Sequence, residues 1–534
     1  NDTARADRPA DTVLRDTAPT PDTLPPDDAG NCPSGQTACG TACYDLTTTA
    51  HCGSCTTACG SGQTCNAGVC VEGGSVGSAD GCSSDLANNL TLQQIAVYQS
   101  VKIPIMKDGS EVAQASRNAA VVSARDTLFR AFVTLGSGWT TRELSARLNL
   151  TTSDGTSTQF YSKKTISASS VDSDLATTFN IFVPPSAMVA PLTYSVQIVE
   201  CASGSGVVGA ARFPSSGDLD LGVKNAGGLK IKVIPLQVDT YLPDTSAATL
   251  AGYADYMHAM YPAEEVSITV GDTLTTASPV DWSGMLDQVR AKRSTDKPAN
   301  DVYYFGLVKP ADSLRTYCGS SCTTGIGFVV TSATSTSSGS SRAAVGIGFA
   351  DNASRETMAH EVGHNHGRNH APCVSGGTIS GVDSNYPYSG GLLGSWGYDA
   401  RTQKLFDPTK YTDIMGYCNN KWISDYTYNG LVTRMAAVNG VAMIYTPGDV
   451  PSSRWRILLV DQRGPRWGIP VAEETPPEGD MEAATIYDVT GNAVTSVPVY
   501  RTAIADIGGS MVMVPEPQPG WYAVAVAGAP AVAF

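Results

Sequence analysis

The sequence predicts a multidomain α+β protein: a mixed strand-and-helix domain at residues 228–440, a β-sandwich on either side at 83–225 and 445–534, and an N-terminal disulfide-rich module at 31–71. Three observations carry this. At 534 residues the chain is too long for one core. Apolar residues alternate with polar ones at Leu144, Ala146, Leu148 and Leu150, and again at Leu192, Tyr194, Val196 and Ile198, which is the period of half-buried strands. Eight of the fourteen cysteines crowd between Cys32 and Cys70.

Residues 1–30 hold seven aspartates and five prolines with almost no large apolar side chains, so burial cannot offset ordering entropy and a disordered spacer is expected. A flexible tether and a glycosylated stalk both fit its Asp-Thr pairs. In the module that follows, Ser34-Gly35-Gln36-Thr37 is echoed by Ser61-Gly62-Gln63-Thr64. Its core is negligible, so disulfides must hold it. A zinc knuckle at Cys52-x-x-Cys55 is the alternative, without the histidine spacing of a finger. Further on, turn residues such as Ser153-Asp154-Gly155 separate the strands of the first sandwich. In 228–440 the expected elements are strands at Leu229–Leu236, Val266–Val270 and Val302–Val308, a helix capped by Asp244 and running to Tyr261, and a helix at Trp282–Arg293. Thr331–Ser341 is expected as a loop, and Ala343–Phe349 as an edge strand. Ser424 caps a helix over Asp425–Asn439 with Leu431, Val432, Met435 and Val438 on one face. Trp455–Val460, Ala483–Val489 and Trp521–Ala527 then suggest a second small sandwich.

A net charge of -15 and a pI near 4.8 argue against nucleic acid or an anionic membrane as partner. No apolar run has the length of a membrane span. The even cysteine count fits disulfides in an oxidising compartment, with predicted pairs Cys82–Cys201, Cys318–Cys322 and Cys373–Cys418. The chain opens at Asn1 without a signal-peptide pattern, so an exported chain whose signal has been removed is expected, secreted or at the bacterial cell surface.

Four of the six histidines lie in His360-Glu361-Val362-Gly363-His364-Asn365-His366-Gly367-Arg368-Asn369-His370. On a helix over Ala353–Gly367, His360 and His364 sit one turn apart on one face, as a zinc pair requires. Glu361 projects beside them, where a carboxylate can take a proton from water activated by the ion. Gly367 can end the helix in the left-handed conformation and turn the chain back so that His370 reaches the same ion. Three imidazoles leave one position open, the mark of a catalytic Zn2+. His366 falls on a different face, as a second-layer or surface residue, and His258 as a packed or exposed one.

The pattern His-Glu-x-x-His-x-x-Gly-x-x-His, followed about 45 residues later by Asp413-Ile414-Met415-Gly416-Tyr417-Cys418, resembles the metzincin clan of zinc endopeptidases with its methionine turn. With Gly394-Ser395-Trp396-Gly397-Tyr398-Asp399 and Trp422 to Tyr428, it looks similar to secreted bacterial metzincins that cleave mucin-type glycoproteins. The resemblance implies a metzincin-like catalytic domain, Met415 as apolar support beneath the ligands, Tyr417 as a hydrogen-bond donor to the oxyanion, and Trp396 as a sugar-stacking or pocket residue. Met-turns of this kind often carry a larger residue than Gly416. The function expected is a monomeric secreted zinc endopeptidase acting on protein or glycoprotein. The competing reading is a non-catalytic adhesion or glycan-binding protein that retains a zinc-stabilised protease fold. A latent enzyme, its zinc blocked by a cysteine thiolate, is a third.

Overall fold

The two alternating patterns of the first sandwich end up side by side. In the computed structural model Arg142–Thr152 pairs antiparallel with Leu192–Glu200, placing Leu150 opposite Tyr194, Leu148 opposite Val196 and Ala146 opposite Ile198. This face meets a second sheet, containing Leu90–Gln99, Val101–Lys107, Thr127–Leu135 and Phe179–Val183, in a core where Leu148 and Tyr194 join Val97, Phe129 and Ile181. Each such side chain contributes about 1.5–3 kcal/mol by leaving water. The predicted Cys82–Cys201 disulfide is formed. The residues described are 80–202, 209–319, 322–329, 341–374, 379–442, 452–474, 477 and 479–534, with short stretches between 37 and 72.

The next sheet is built from β1 (Leu229–Val238), β2 (Val266–Val270), β3 (Val302–Val308), β4 (Gly325–Val329) and β5 (Ala343–Ile347), in spatial order β2-β1-β3-β5-β4. All pairs are parallel except β4 with β5. Helices α1 (Ala247–Met260), α2 (Trp282–Asp296) and α3 (Asn352–Asn365) interleave with the strands, and α4 (Asp425–Ala442) follows. Two expectations are corrected. The residue capping α1 is Ser246, whose hydroxyl accepts from the Thr249 N–H, while Asp244 accepts from the Ser246 N–H and so holds the cap itself. The strand at Ala343–Ile347 is no edge: β3 flanks it on one side and β4 on the other, and all five residues are buried. Beyond it lies β4, itself covered in part by a later strand, which sequence patterning passed over because two of its five residues are glycine. Of the loop predicted at Thr331–Ser341, residues 331–340 lie outside the described residues.

Gly74–Phe534 forms one compact unit, and strands from its different parts pair with one another. Gly397–Asp399 pairs with the first sandwich through Gly397 and Val101. Downstream, β6 (Ser452–Asp461), β7 (Asp480–Tyr487), β8 (Ala493–Ile504) and β9 (Gly509–Pro515) continue the α/β sheet, for β8 pairs antiparallel with β4 at Phe328–Ile504 and Val329–Ala503. Trp455, Ile457, Met511 and Met513 share a core with Leu236, Met285 and Val289. The C-terminal strands are therefore built onto the region they follow. The turn after β7 begins at Asp488, one residue before the strand end expected at Val489.

Asn1–Gly73 is a second unit, of which little is described. Thr37–Cys39 pairs with Ala42–Tyr44, and Gln63–Asn66 with Val69–Glu72, so each copy of the Ser-Gly-Gln-Thr echo leads into a hairpin. The spacer predicted at 1–30 lies outside the described residues. Among the described residues no helix is long and apolar enough to cross a membrane.

Candidate metal centre

Helix α3 starts at Asp351, whose carboxylate accepts from the Ser354 N–H. It ends with Gly367 at φ +79°, the Arg368 N–H closing on the Gly363 carbonyl at 3.1 Å, a Schellman turn. The expected reversal follows, and His360, His364 and His370 converge with their ring nitrogens facing one another. The Nε2 atoms of His360 and His364 are 3.1 Å apart, close to the roughly 3.3 Å edge of a tetrahedron of nitrogens bound at zinc distance.

Each imidazole is fixed by a backbone carbonyl behind it. The Nδ1 of His360 lies 2.8 Å from the Ile414 oxygen, that of His364 2.6 Å from the Arg368 oxygen, and that of His370 2.5 Å from the Ser380 oxygen. Carbonyls only accept, so each Nδ1 carries the proton and each Nε2 lone pair is free for a metal. Burial drives His360 down to about 4 and His364 well below the usual histidine range, the latter helped by His360 and His370, so both are neutral at pH 7.

The methionine turn lies beneath them. Asp413 is fully buried; its carboxylate accepts the Met415 and Ser424 N–H groups, both at 2.8 Å, and this holds the Ile414 carbonyl on His360. Met415 packs against α3 at Gly363, where an added Cβ would come 2.5 Å from its sulfur. Cys373 is bonded to Cys418, and the Ala371 and Tyr417 N–H groups bond the Met415 and Cys373 carbonyls. The small residue at Gly416 has a local cause: a Cβ there would lie 3.1 Å from that of Cys373.

Glu361 is 2% exposed and lies over β4, where a Cβ on Gly325 would come 2.5 Å from its Oε1. Burial, and then the charge of Asp506, push its carboxyl well above the ordinary range. Tyr417 Oη is 3.2 Å from His370 Nε2 and donates to Asp506. Asp506 was missed in the sequence. It sits in the β8–β9 turn with its carboxylate 3.3 Å from His370 Nε2 and 3.7 Å from the Nε2 atoms of His360 and His364. Burial would raise its pKa, but His370 and the other two imidazoles outweigh that and hold it below the usual carboxylate range. The only signal was a hairpin turn, Asp506-Ile507-Gly508-Gly509, with nothing local to say where it points. Glu361 Oε2 and Asp506 Oδ2 are buried and lack hydrogen-bond partners, as oxygens facing a cation site would. Three imidazoles and a carboxylate suit a zinc-like ion.

The remaining candidates lie elsewhere. Trp396 packs in a small cluster with Tyr98, Phe132 and Tyr398 of the first sandwich. His366 is fully buried, stacked on Tyr303 at 4.4 Å, so it is a core residue and not a surface one. Asn365, which sequence reasoning passed over, donates from Nδ2 to the Phe328 and Ala343 carbonyls at 3.0 Å and ties α3 to β4 and β5. An open pocket of about 740 Å3 adjoins Tyr417 and Cys418, with Asn352, Arg401, Lys404 and Asn419 on its walls.

A buried group of this composition on a helix-borne HExxH motif defines a candidate metallohydrolase centre. The peptidase M66 family model, a zinc metallopeptidase family, matches residues 330–449, which contain the motif, the methionine turn and α4. The match supports a zinc metallopeptidase. No curated protein matches the chain.

Proposed function

We propose that the chain is a zinc endopeptidase of the metzincin type, exported to the cell exterior or surface, that hydrolyses peptide bonds in O-glycosylated, mucin-type proteins. The observation that carries the peptidase reading is the convergence of three carbonyl-anchored imidazoles beside the buried carboxyl of Glu361. His360, His364 and His370 would hold the ion, which when bound supplies a Lewis acid for a substrate carbonyl and lowers the pKa of water. Glu361 takes the proton of the attacking water and returns it to the departing amine, a role suited by its buried position beside the three imidazoles. Tyr417 donates a hydrogen bond to the carbonyl oxygen as it gains charge. Met415 fills the floor with apolar surface, and Gly325 and Gly327 let β4 lie close over Glu361.

The disulfides Cys82–Cys201, Cys318–Cys322 and Cys373–Cys418 support an oxidising compartment. The polar pocket beside Tyr417 is large enough for a sugar unit next to the scissile bond, which supports the glycoprotein part. The second reading, a zinc-stabilised binding protein, is favoured by Asp506, since four protein donors close a site. The test is digestion of a mucin-like glycoprotein and of the same protein stripped of glycans, with zinc-loaded chain, Asp506→Ala, and Glu361→Gln in both backgrounds. Cleavage lost with Glu361 supports the peptidase. Equal cleavage of both substrates refutes the glycan requirement, and cleavage by none of the proteins refutes the peptidase.

A further inference from the structure

The β8–β9 hairpin occupies every place a substrate would need. Extended peptides add to an exposed sheet edge, and the edge beside the metal centre is β4, already paired antiparallel with Ala503 and Ile504 of β8. The Ala505 N–H carries the ladder one step further, donating to the Gly327 carbonyl at 2.8 Å. At the next residue the chain turns, and the Asp506 carboxylate faces the three Nε2 atoms at 3.3–3.7 Å. The hydroxyl of Tyr417, aimed where a substrate carbonyl would develop charge, is given to that carboxylate instead.

The placement is built. Asp506 adopts φ +68°, a left-handed conformation that aspartate takes more readily than most residues. Ile504 and Ala505 are buried, and the base of the hairpin shares its core with α2. Asp506 also presents a side-chain carboxylate, not a peptide carbonyl, so no scissile bond is set before Glu361.

We propose, on the zinc-peptidase reading above, that the folded chain is latent: Asp506 is the fourth ligand of the resting metal, and the hairpin tip Ala505–Gly508 is a built-in stopper that must swing away before a peptide can bind. The anchored base places the motion in the tip, Ala505–Gly508, with the body of the C-terminal sheet remaining docked.

The experiment uses the full chain loaded with Co2+ or Zn2+ as wild type, Asp506→Ala, Asp506→Asn, and Asp506→Ala with Glu361→Gln. The Co2+ visible spectrum reports the ligand set and digestion of the mucin-like glycoprotein reports turnover. Expected are a shifted spectrum in both single variants, turnover raised tenfold or more in Asp506→Ala, and loss of that gain in the double variant. Asp506→Asn keeps the shape and a partner for Tyr417, so agreement between the single variants excludes misfolding as the cause. A spectrum and turnover unchanged by Asp506→Ala would overturn the proposal while leaving a wild type that cleaves the glycoprotein as a peptidase. A shifted spectrum with equal cleavage by wild type and variant would make Asp506 a ligand without inhibitory role and overturn latency. A shifted spectrum with no cleavage by any protein would sink the peptidase reading, and latency with it.

Discussion

Asp413 touches neither metal nor substrate, yet the geometry makes the centre depend on it. Its two oxygens accept from Met415 and Ser424 at 2.8 Å, and the same turn points the Ile414 carbonyl at His360 Nδ1. Hydrogen bonds to a charged group are worth about 1.5–3 kcal/mol each. Asp413→Ala strands two buried N–H groups and is expected to cost roughly 3–6 kcal/mol, a large part of the stability of an ordinary domain. Asp413→Asn keeps one acceptor and should cost about half as much. Because His360 is oriented through this turn, zinc affinity should fall by about 10–100-fold in Asp413→Asn, the usual effect of losing a group behind a metal ligand. Competition against a chromogenic chelator measures the affinity, and thermal unfolding of the same preparation measures the stability. Zinc binding within twofold of wild type in Asp413→Asn would refute the idea that this turn positions the ligand.

Tyr417→Phe, made in the Asp506→Ala background, should lower turnover by about a hundredfold with little change in zinc content; unchanged turnover removes the hydroxyl from the chemistry. In Gly325→Ala the new methyl falls 2.5 Å from Glu361 Oε1, so activity should drop while zinc stays bound, and retained activity would show that β4 gives way. His258 is held down to about 3 by burial and by Arg125. Its folded pKa lies below its unfolded one, so its contribution is complete above about pH 6.5 and is lost as pH falls towards 3, by at most about 1.4 kcal/mol per pH unit. His258→Gln should flatten that part of the stability profile measured by urea unfolding, and an unaltered slope contradicts the assignment.

What sequence could show was what rests on local periodicity. The histidines of α3 declare themselves because a 3.6-residue helix stacks positions 360 and 364, and Gly367 declares the turn back because few residues take φ +79°. The alternation in Leu144–Leu150 and Leu192–Ile198 placed two strands whose partnership was then almost forced. Asp506 stayed hidden because its role comes from the pairing of β8 with β4, which no window near either strand contains. The edge was misplaced for the related reason that Ala343–Ile347 looks like any apolar strand, and whether something covers it is a tertiary fact. Ser246 and Asp244, two oxygen acceptors two residues apart, are equally good caps on paper; the backbone of Ser246 chose between them. Trp396 sat in a suggestive stretch, but its neighbours Gly397–Asp399 joined the first sandwich and took the indole with them.

That cross-connection has a bearing on how the molecule comes into being. Gly397 closes on Val101, and Ile504 on Phe328, so contacts that join distant parts of the chain are shared between the scaffold and the centre. Such closures must be made before they are rewarded, which slows folding and makes its last steps cooperative. The stages of maturation are therefore tied together: the event that completes the α/β sheet at β4 is also the one that delivers Asp506. On the latency proposed above, a newly made molecule would pass from having no organised centre to having a stoppered one, with no competent form in between.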